Sequence, residues 1–299
     1  MRRILGRYRN GNYITTIYSD GTKVRENDLD NLTPAFAENA DCLITNRCDG
    51  GCQFCYAGCT PDGKHADLLG AKFIDTLHPF TELAINGNDM THPQLVPFLE
   101  KLRERNVITN LTVMQTHFEK YFSYIRSLVE HGLVHGLGVS LRNPTPEFVE
   151  RIKLFPNAVI HVINGIFTER DYDIIKDSGL KLLILGYKNL SRGEQYLDTH
   201  SDEVRVNMKW LYDSLEEVTQ HFNVVSFDNL ALDQLDVKRL LSDDEWGEFY
   251  MGDDGDFTFY IDMVNGTFAK DSMSPDRYPI MDNVDDMFKF IRDKKWQKQ

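Results

Sequence analysis

The stretch ITNRCDGGCQFCYAGC, residues 44–59, holds four of the five cysteines of this 299-residue chain, and the fifth lies two positions before it. We call residues 44–59 the cysteine loop. Cys48, Cys52 and Cys55 have the spacing C-x3-C-x2-C, whereas structural zinc usually takes four ligands from two C-x2-C pairs. Three thiolates on such a loop can hold a four-iron cluster and leave one iron open to a substrate or cofactor. Cysteines that bind zinc or pack in the core are the alternative.

Short apolar strands alternate with amphipathic helical patterns along most of the chain. The strands are predicted in DCLITN (41–46), ELAIN (82–86), TNLTVM (109–114), GLGVSL (136–141), AVIHVIN (158–164) and KLLILG (181–186), and a helical pattern follows each. This alternation predicts an α/β fold with parallel strands and right-handed crossovers. Six units favour a barrel or partial barrel over a flat doubly wound sheet. Ligands bind at the carboxyl ends of the strands in both, where the cysteine loop is expected to lie.

Two predicted hairpins flank this repeating core. NYITTIYSDGTKVR (12–25) is expected to turn at Asp20 and Gly21, and FTFYIDMVNGTFAKDS (257–272) at Asn265 and Gly266. The chain is therefore divided into an N-terminal hairpin extension (1–37), a core (38–221) and a small α+β C-terminal extension (222–299). A possible seventh strand falls at the start of that last segment.

The composition disfavours several classes of partner. A formal net charge of -13 and an isoelectric point near 5.1 would repel a phosphate backbone, so no nucleic acid is expected. No apolar run approaches the roughly 20 residues of a membrane span, and the N-terminus lacks a signal-peptide core. We therefore expect a cytoplasmic protein without a membrane partner. In that reducing compartment, clustered thiols usually bind metal or carry out redox chemistry.

The segment CDGGCQFCY, residues 48–56, directly after a first strand strongly resembles the radical S-adenosylmethionine (SAM) superfamily. The resemblance covers roughly residues 38–220 and implies a partial (β/α)6 TIM-like barrel. It also implies a [4Fe-4S] cluster on Cys48, Cys52 and Cys55, with SAM on the fourth iron. A low-potential donor such as a flavodoxin or ferredoxin would then drive cleavage of SAM to a 5'-deoxyadenosyl radical, which removes hydrogen from a substrate.

The same resemblance implies a set of residues that contact SAM. NGNDMTHP, residues 86–93, stands where the family usually has Gly-Gly-Glu-Pro, so Asn88 or Asp89 would accept from the SAM ammonium. The full set of expected cofactor-binding residues is Tyr56, Asn86, Gly87, Asn88, Asp89, Ser140, Arg142, Asn143, Ile163, Asn164, Gly165 and Lys188. Ordinary turns at strand ends are the alternative for most of them.

No residue type identifies the group that acts on the substrate, so the catalytic residues are unknown. The candidates are Cys59, Lys64, His65 and Tyr187. Cys59 could quench a substrate radical, although a structural thiol is the simpler interpretation. Lys64 and His65 could equally belong to a solvated loop.

The substrate is predicted only by class. The second hairpin and the following PIMDNVDDMFKFIR (279–292) resemble a SPASM or twitch domain of peptide-modifying relatives, but without further cysteines. A peptide or protein side chain is therefore favoured. A small-molecule metabolite is one alternative, and a non-catalytic Fe-S electron carrier or sensor is another.

Overall fold

The computed structural model describes residues 2–29 and 31–297, so the outermost ends of the two predicted extensions, residues 1 and 298–299, lie outside the described residues. Near the N-terminus, β1 (Ile4–Asn10), β2 (Tyr13–Tyr18) and β3 (Lys23–Glu26) form an antiparallel three-stranded sheet. The predicted turn is confirmed, since the Gly21 amide donates to the Tyr18 carbonyl at 3.0 Å. The first of these strands was not predicted.

A ten-stranded, mostly parallel sheet forms the centre of the protein. Its strands are β4 (Asn39–Leu43), β5 (Glu82–Asn86), β6 (Ile108–Met114), β7 (Gly136–Ser140), β8 (Ala158–Ile163), β9 (Lys181–Leu185), β10 (Val224–Phe227), β11 (Thr258–Asp262), β12 (Thr267–Ala269) and β13 (Tyr278–Pro279). They are ordered β10-β9-β8-β7-β6-β5-β4-β11-β12-β13, and only the pairs β11-β12 and β12-β13 are antiparallel. This sheet, with its intervening helices, confirms the predicted α/β class.

Helices lie between most of the parallel strands, and one helix follows β13. They are α1 (Leu95–Glu104), α2 (Gln115–Lys120), α3 (Phe122–Glu130), α4 (Pro146–Ile152), α5 (Glu169–Ile175), α6 (Arg192–Gln220), α7 (Asn229–Leu235), α8 (Asp243–Phe249) and α9 (Val284–Gln297). Thr145 caps α4 by accepting from the Phe148 amide, with Pro146 at the first helical position. None of the helices in the described part of the chain is long and apolar enough to cross a membrane.

The helix expected after the first core strand does not form. Residues 66–78 contain only a short 3-10 helix, Lys72–Thr76. The Asp67 carboxylate accepts from the Gly70 amide at 3.2 Å, and the Leu68 amide donates to Gln94 at 2.7 Å. Side chains thus take the backbone donors that a longer helix would need.

The two faces of the sheet differ in polarity because strand side chains alternate. On β4, Ala40 and Cys42 belong to the buried apolar core, whereas Asp41 between them is exposed. We call the Asp41 side of the sheet the polar face. The register of the neighbouring strands continues this face through β6, β7 and β8. Its polar residues there are all half-buried: Asn110, Thr112, Ser140 and His161.

The predicted C-terminal extension adds strands to both edges of the core sheet. β10 pairs with β9, and β11 pairs with β4 in the register Thr258 to Asn39. The predicted hairpin at Asn265 and Gly266 is confirmed as β11 and β12. Its parallel pairing with the first core strand was not predicted.

A buried ionic network attaches the N-terminal sheet to the start of β4. The Glu38 carboxylate accepts from the Tyr13 hydroxyl at 2.6 Å and from Arg25 Nη2 at 2.5 Å, while Lys23 Nζ lies 2.5 Å from Glu82. Burial by itself raises the pKa of Glu38, but the hydrogen-bonded Arg25 and the charge of Lys23 bring it below its usual value. The N-terminal sheet is thereby joined to the central sheet through the paired, fully buried carboxylate of Glu38.

Candidate functional site

The cysteine loop leaves the carboxyl end of β4 and is held closed at its base. Isolated bridges join Thr45 to His65 and Arg47 to Thr60, and the Cys48 amide donates to the Thr60 carbonyl at 2.8 Å. The thiols of Cys48, Cys52 and Cys55 are free and half-buried. The three predicted ligands therefore lie on a partly accessible loop at the carboxyl end of β4.

Two arginines from other parts of the chain donate hydrogen bonds to this loop. Arg192, at the start of α6, donates through Nε to the Cys52 carbonyl at 3.0 Å and through Nη2 to the Cys59 carbonyl at 2.9 Å. Arg142, after β7, donates through Nη1 to the Gly50 carbonyl at 2.6 Å and lies 3.8 Å from Cys52 Sγ. Both guanidinium groups thus place positive charge beside the thiols.

Gly50 permits the close packing of the loop. A Cβ atom at this position would lie 2.2 Å from Met114 Sδ and 3.3 Å from Cys48 Sγ. The Gly50 amide also donates to Cys48 Sγ at 3.4 Å. The absence of a side chain at Gly50 therefore lets the backbone lie close to Met114 and Cys48, where a Cβ atom would collide with Met114 Sδ.

The three thiols differ in acidity. The side-chain hydrogen bond with Cys59 is the largest cause that lowers the pKa of Cys55, to about 5, while burial raises the pKa of Cys48 and Cys52. Within residues 2–29 and 31–297, no three His, Cys, Asp or Glu side chains form a group that could hold one metal ion. A single zinc ion needs all its thiolates about 2.3 Å from one centre, whereas a cluster takes each thiolate on a different iron. The absence of such a group therefore concerns sites for a single metal ion.

A cleft opens beside the loop at the ends of β7 and β8. It is lined by Cys52, Phe54, Met114, Ser140, Leu141, Arg142, His161, Val162, Ile163, Ile166, Phe167 and Asp171. Of the predicted cofactor residues, Ser140, Arg142 and Ile163 lie here together with the thiol of Cys52. Its lining is largely apolar with a few polar groups, as in small-molecule sites.

His161 in this cleft was missed by the sequence analysis. It lies on the polar face in register with Ser140, and burial lowers its pKa to about 4, so the imidazole is neutral at neutral pH. A Cβ atom on Gly138 would lie 2.4 Å from the His161 ring, which shows that the glycine makes room for it. The sequence feature that could have revealed this residue is the single histidine within the apolar segment AVIHVIN.

The residues at the carboxyl end of β5 make different contacts. Asn86 fixes the end of β4, since its Oδ1 accepts from the Ile44 amide and its Nδ2 donates to the Thr45 carbonyl, both at 2.7 Å. Asn88 donates through Nδ2 to Cys59 Sγ at 3.1 Å and to the Thr45 carbonyl at 3.4 Å. The Gly87 amide donates to the Thr112 carbonyl at 2.6 Å.

Asp89 is already engaged by neighbouring side chains. Its Oδ1 accepts from the Thr91 hydroxyl at 2.6 Å, and its Oδ2 lies 3.2 Å from Arg47 Nε. Asn88 and Asp89 line a second cleft with Arg47 and Asp49, rather than the cleft that contains Ser140. Both clefts border the cysteine loop.

The remaining predicted cofactor residues are more dispersed. Asn164 is 1% exposed; its Nδ2 donates to Gln234 at 3.0 Å, and its Oδ1 has no partner in the described part of the chain. The Gly165 carbonyl accepts from Asn207 at 3.1 Å. Asn143 contacts Gln115 through its backbone.

Tyr56 of the cysteine loop contacts Lys188, which follows β9. Lys188 Nζ lies 4.4 Å from the centroid of the Tyr56 ring and donates to Ser272 Oγ at 2.9 Å. Lys188 follows β9 and Ser272 follows β12, so this contact joins the core to the C-terminal extension. The Tyr56 ring remains partly exposed.

The candidate catalytic residues occupy different environments. Tyr187 is buried, and its hydroxyl donates to the Gly193 carbonyl at 2.7 Å. Cys59 is buried against Asn88, Lys64 is exposed, and His65 Nδ1 lies 2.9 Å from Thr45 Oγ1. None of these four side chains lines the cleft beside Ser140.

Comparison with known proteins gives no family. No family model matches this chain, and no curated protein matches it either. The radical SAM resemblance therefore rests on the residues of the cysteine loop and the strand ends around it. The chemistry of these residues carries the functional proposal.

Proposed function

We propose that this chain is a radical SAM enzyme that holds one [4Fe-4S] cluster on Cys48, Cys52 and Cys55 and binds SAM beside it. The observation that carries the proposal is the position of the three thiols on one loop at the carboxyl end of a parallel strand, next to a cleft. Ligand sites of α/β sheets form at that edge. Three protein ligands leave one iron available to SAM.

We further propose that β4 to β9 form a partial (β/α)6 TIM-like barrel. Neighbouring strands lie about 4.8 Å apart, so β4 and β9 would be about 24 Å apart on a flat sheet. Arg192, after β9, nevertheless bonds to carbonyls of the loop that follows β4. A sheet curved like part of a barrel explains this reach.

The surroundings of the thiols suit a negatively charged cluster. Arg142 and Arg192 supply positive charge, and the Gly50 amide supplies a hydrogen bond to sulfur, both of which stabilise thiolates and tune Fe-S centres. When bound, the cluster would supply the electron that breaks the C5'–S bond of SAM to give methionine and a 5'-deoxyadenosyl radical, which takes a hydrogen atom from the substrate. A low-potential flavodoxin or ferredoxin is the proposed electron source, and the reducing cytoplasm the proposed location.

Asn88 is the better candidate for the SAM ammonium. The Thr45 carbonyl can only accept, so the amide nitrogen of Asn88 must face it and Oδ1 points elsewhere. In the described structure this oxygen has no hydrogen-bond donor, whereas the Asp89 carboxylate is already paired with Arg47 and Thr91. Ser140 and Arg142, in the cleft, are the candidates for the SAM carboxylate.

Anaerobic reconstitution tests the proposal. We expect about four irons per chain, and release of 5'-deoxyadenosine when SAM and a strong reductant are added. Replacing Cys48, Cys52 or Cys55 with Ala should abolish the broad visible absorbance of the cluster. Cys42→Ala is the matched control, because Cys42 packs in the core and should not affect iron content. Full iron retention in all three loop variants would reject the ligand assignment.

The reaction on the substrate is proposed only by class. The hairpin of β11 and β12 and the helix α9 resemble in pattern the hairpin and helix of a SPASM or twitch domain, but without its cysteines, and this favours a peptide or protein side chain. A small-molecule metabolite remains the alternative. An electron carrier or sensor would bind the cluster without binding SAM, so SAM binding separates that class from the enzymes.

A further inference from the structure

The imidazole of His161 extends from β8 across the neighbouring strand β7. His161 pairs with Ser140, yet a Cβ atom on Gly138 would lie 2.4 Å from His161 Cε1 and 2.6 Å from its Nε2. Thr112 Oγ1, on the next strand, would lie 2.8 Å from the same Cβ position. The ring therefore lies over Gly138 on the polar face, where it is half-buried and lines the cleft beside the cysteine loop.

The hydrogen-bonding capacity of this ring is unused in the folded chain. Among residues 2–29 and 31–297, neither ring nitrogen of His161 has a hydrogen-bond partner, and burial is the cause that lowers its pKa. At neutral pH the ring is therefore uncharged, with one nitrogen that donates and one that accepts. Polar groups withdrawn from bulk water are normally satisfied, so a ligand in the cleft would supply the missing partner.

The charged residues that line the cleft already have other contacts. Asp171 Oδ2 accepts from the Thr168 hydroxyl at 2.8 Å within the cap of α5. Arg142 is, with Ser140, the candidate for the SAM carboxylate. His161 is thus a polar side chain of the cleft that has neither a partner nor an assigned contact. Because it is uncharged, it suits an uncharged ligand group such as a hydroxyl.

The lining of the cleft changes in character from one strand to the next. Arg142 follows β7, His161 lies on β8, and apolar side chains line the cleft where β8 ends and beyond it: Ile163, Ile166 and Phe167. A positive charge, an uncharged polar group and an apolar wall therefore follow one another across strands about 4.8 Å apart. SAM presents a carboxylate, a ribose and an adenine in the same order. His161 lies where the ribose would bind.

We propose that the His161 imidazole binds a ribose hydroxyl of SAM and so positions the nucleoside beside the cluster. The inference rests on the proposed function, because it assigns a further residue to the same SAM site. One ring nitrogen shares a hydrogen bond with the hydroxyl, and the neutral ring places no positive charge near the sulfonium. Gly138 leaves the space for this ring, since a Cβ atom there would displace it.

Calorimetric titration of the reconstituted full chain, without reductant, tests this contact. The ligands are SAM and its 2'-deoxy and 3'-deoxy analogues, each of which lacks one ribose hydroxyl. We expect the wild type to bind one analogue about tenfold less tightly than SAM. His161→Leu should bind SAM about tenfold less tightly and should no longer distinguish SAM from that analogue. His161→Gln, which keeps a donor and an acceptor, should retain part of the difference.

His135→Leu is the matched control. His135 is also half-buried, but it directly precedes β7 and so lies at the opposite end of that strand from the cleft. This variant should bind all three ligands as the wild type does. Iron content should be the same in every variant, because His161 is assigned to SAM and not to the cluster.

Three results would overturn the inference while leaving SAM binding in place. They are equal affinity of the wild type for SAM and both analogues, unchanged SAM affinity in His161→Leu, or an undiminished difference between SAM and the analogue in that variant. The comparison on the wild type needs no variant, so it decides the question even if His161→Leu takes up no iron. No SAM binding by the wild type at full iron content would reject the proposed function as well, so the two failures are distinguishable.

Discussion

The neutral imidazole of His161 should make the stability of the iron-free protein depend on pH. Burial lowers its pKa from 6.5 to about 4 in the folded protein. Between these two values the unfolded chain binds more protons than the folded chain, so the free energy of unfolding falls as the pH falls. Above pH 6.5 the residue is neutral in both states and contributes no pH dependence.

The size of this effect follows from the difference between the two pKa values. At 1.36 kcal/mol per unit, the folded state loses roughly 2 kcal/mol by pH 5 and roughly 3 kcal/mol by pH 4. His161→Gln keeps a polar side chain of similar length but cannot titrate in this range. The variant should therefore lose less stability than the wild type over the same interval.

Urea unfolding of both proteins from pH 4 to 7.5, followed by tryptophan fluorescence, measures this difference. Burial also lowers the pKa of His92 and His135, so both proteins will lose stability in acid. The informative quantity is the gap between the two curves, which should change with pH below 6.5 and be constant above it. Parallel curves would refute the reasoning and show that His161 titrates normally in the fold.

Three other substitutions test particular contacts. Arg192→Met removes two charge-assisted hydrogen bonds to the cysteine loop and should lower iron retention after gel filtration, with Arg192→Lys less affected; unchanged retention would contradict the role of Arg192. Asn88→Ala should weaken SAM binding about tenfold at constant iron content, and Asp89→Asn should weaken it less. Calorimetric titration measures both affinities. A larger loss of affinity in Asp89→Asn than in Asn88→Ala would assign the ammonium contact to Asp89. Glu38→Gln leaves Arg25 buried without its partner and should destabilise the fold by about 3–5 kcal/mol in denaturant unfolding, and a loss below 1 kcal/mol would show that water or another group replaces the carboxylate.

Much of the fold was accessible from the sequence because its strands are short, apolar and regularly separated by helical patterns. The two hairpins were also predicted, since Asp-Gly and Asn-Gly turns are strong local signals. The pairing of β11 with β4 was not, because parallel pairing between distant segments leaves no local pattern. The absent helix at residues 66–78 was mispredicted because Asp67 and Gln94 compete for its backbone donors.

Some residues of the candidate site were likewise proposed from the sequence, and others were missed. The three cysteines could be proposed from their spacing, and Ser140 and Arg142 from the resemblance to the radical SAM superfamily. His161 could not, because only the sheet register shows that it lies on the polar face beside Ser140. Polar residues at alternate positions of otherwise apolar strands would have predicted a polar face of the sheet.

The pairing of β11 with β4 has a consequence for synthesis of the chain on the ribosome. Thr258 pairs with Asn39, so the partners are 219 positions apart in the sequence. Until translation has passed residue 262, the strand that leads into the cysteine loop keeps one edge without its native neighbour. Such late closure slows folding and leaves a strand edge exposed to other nascent chains. Delivery of iron during translation would therefore meet a loop whose supporting strand is only half paired.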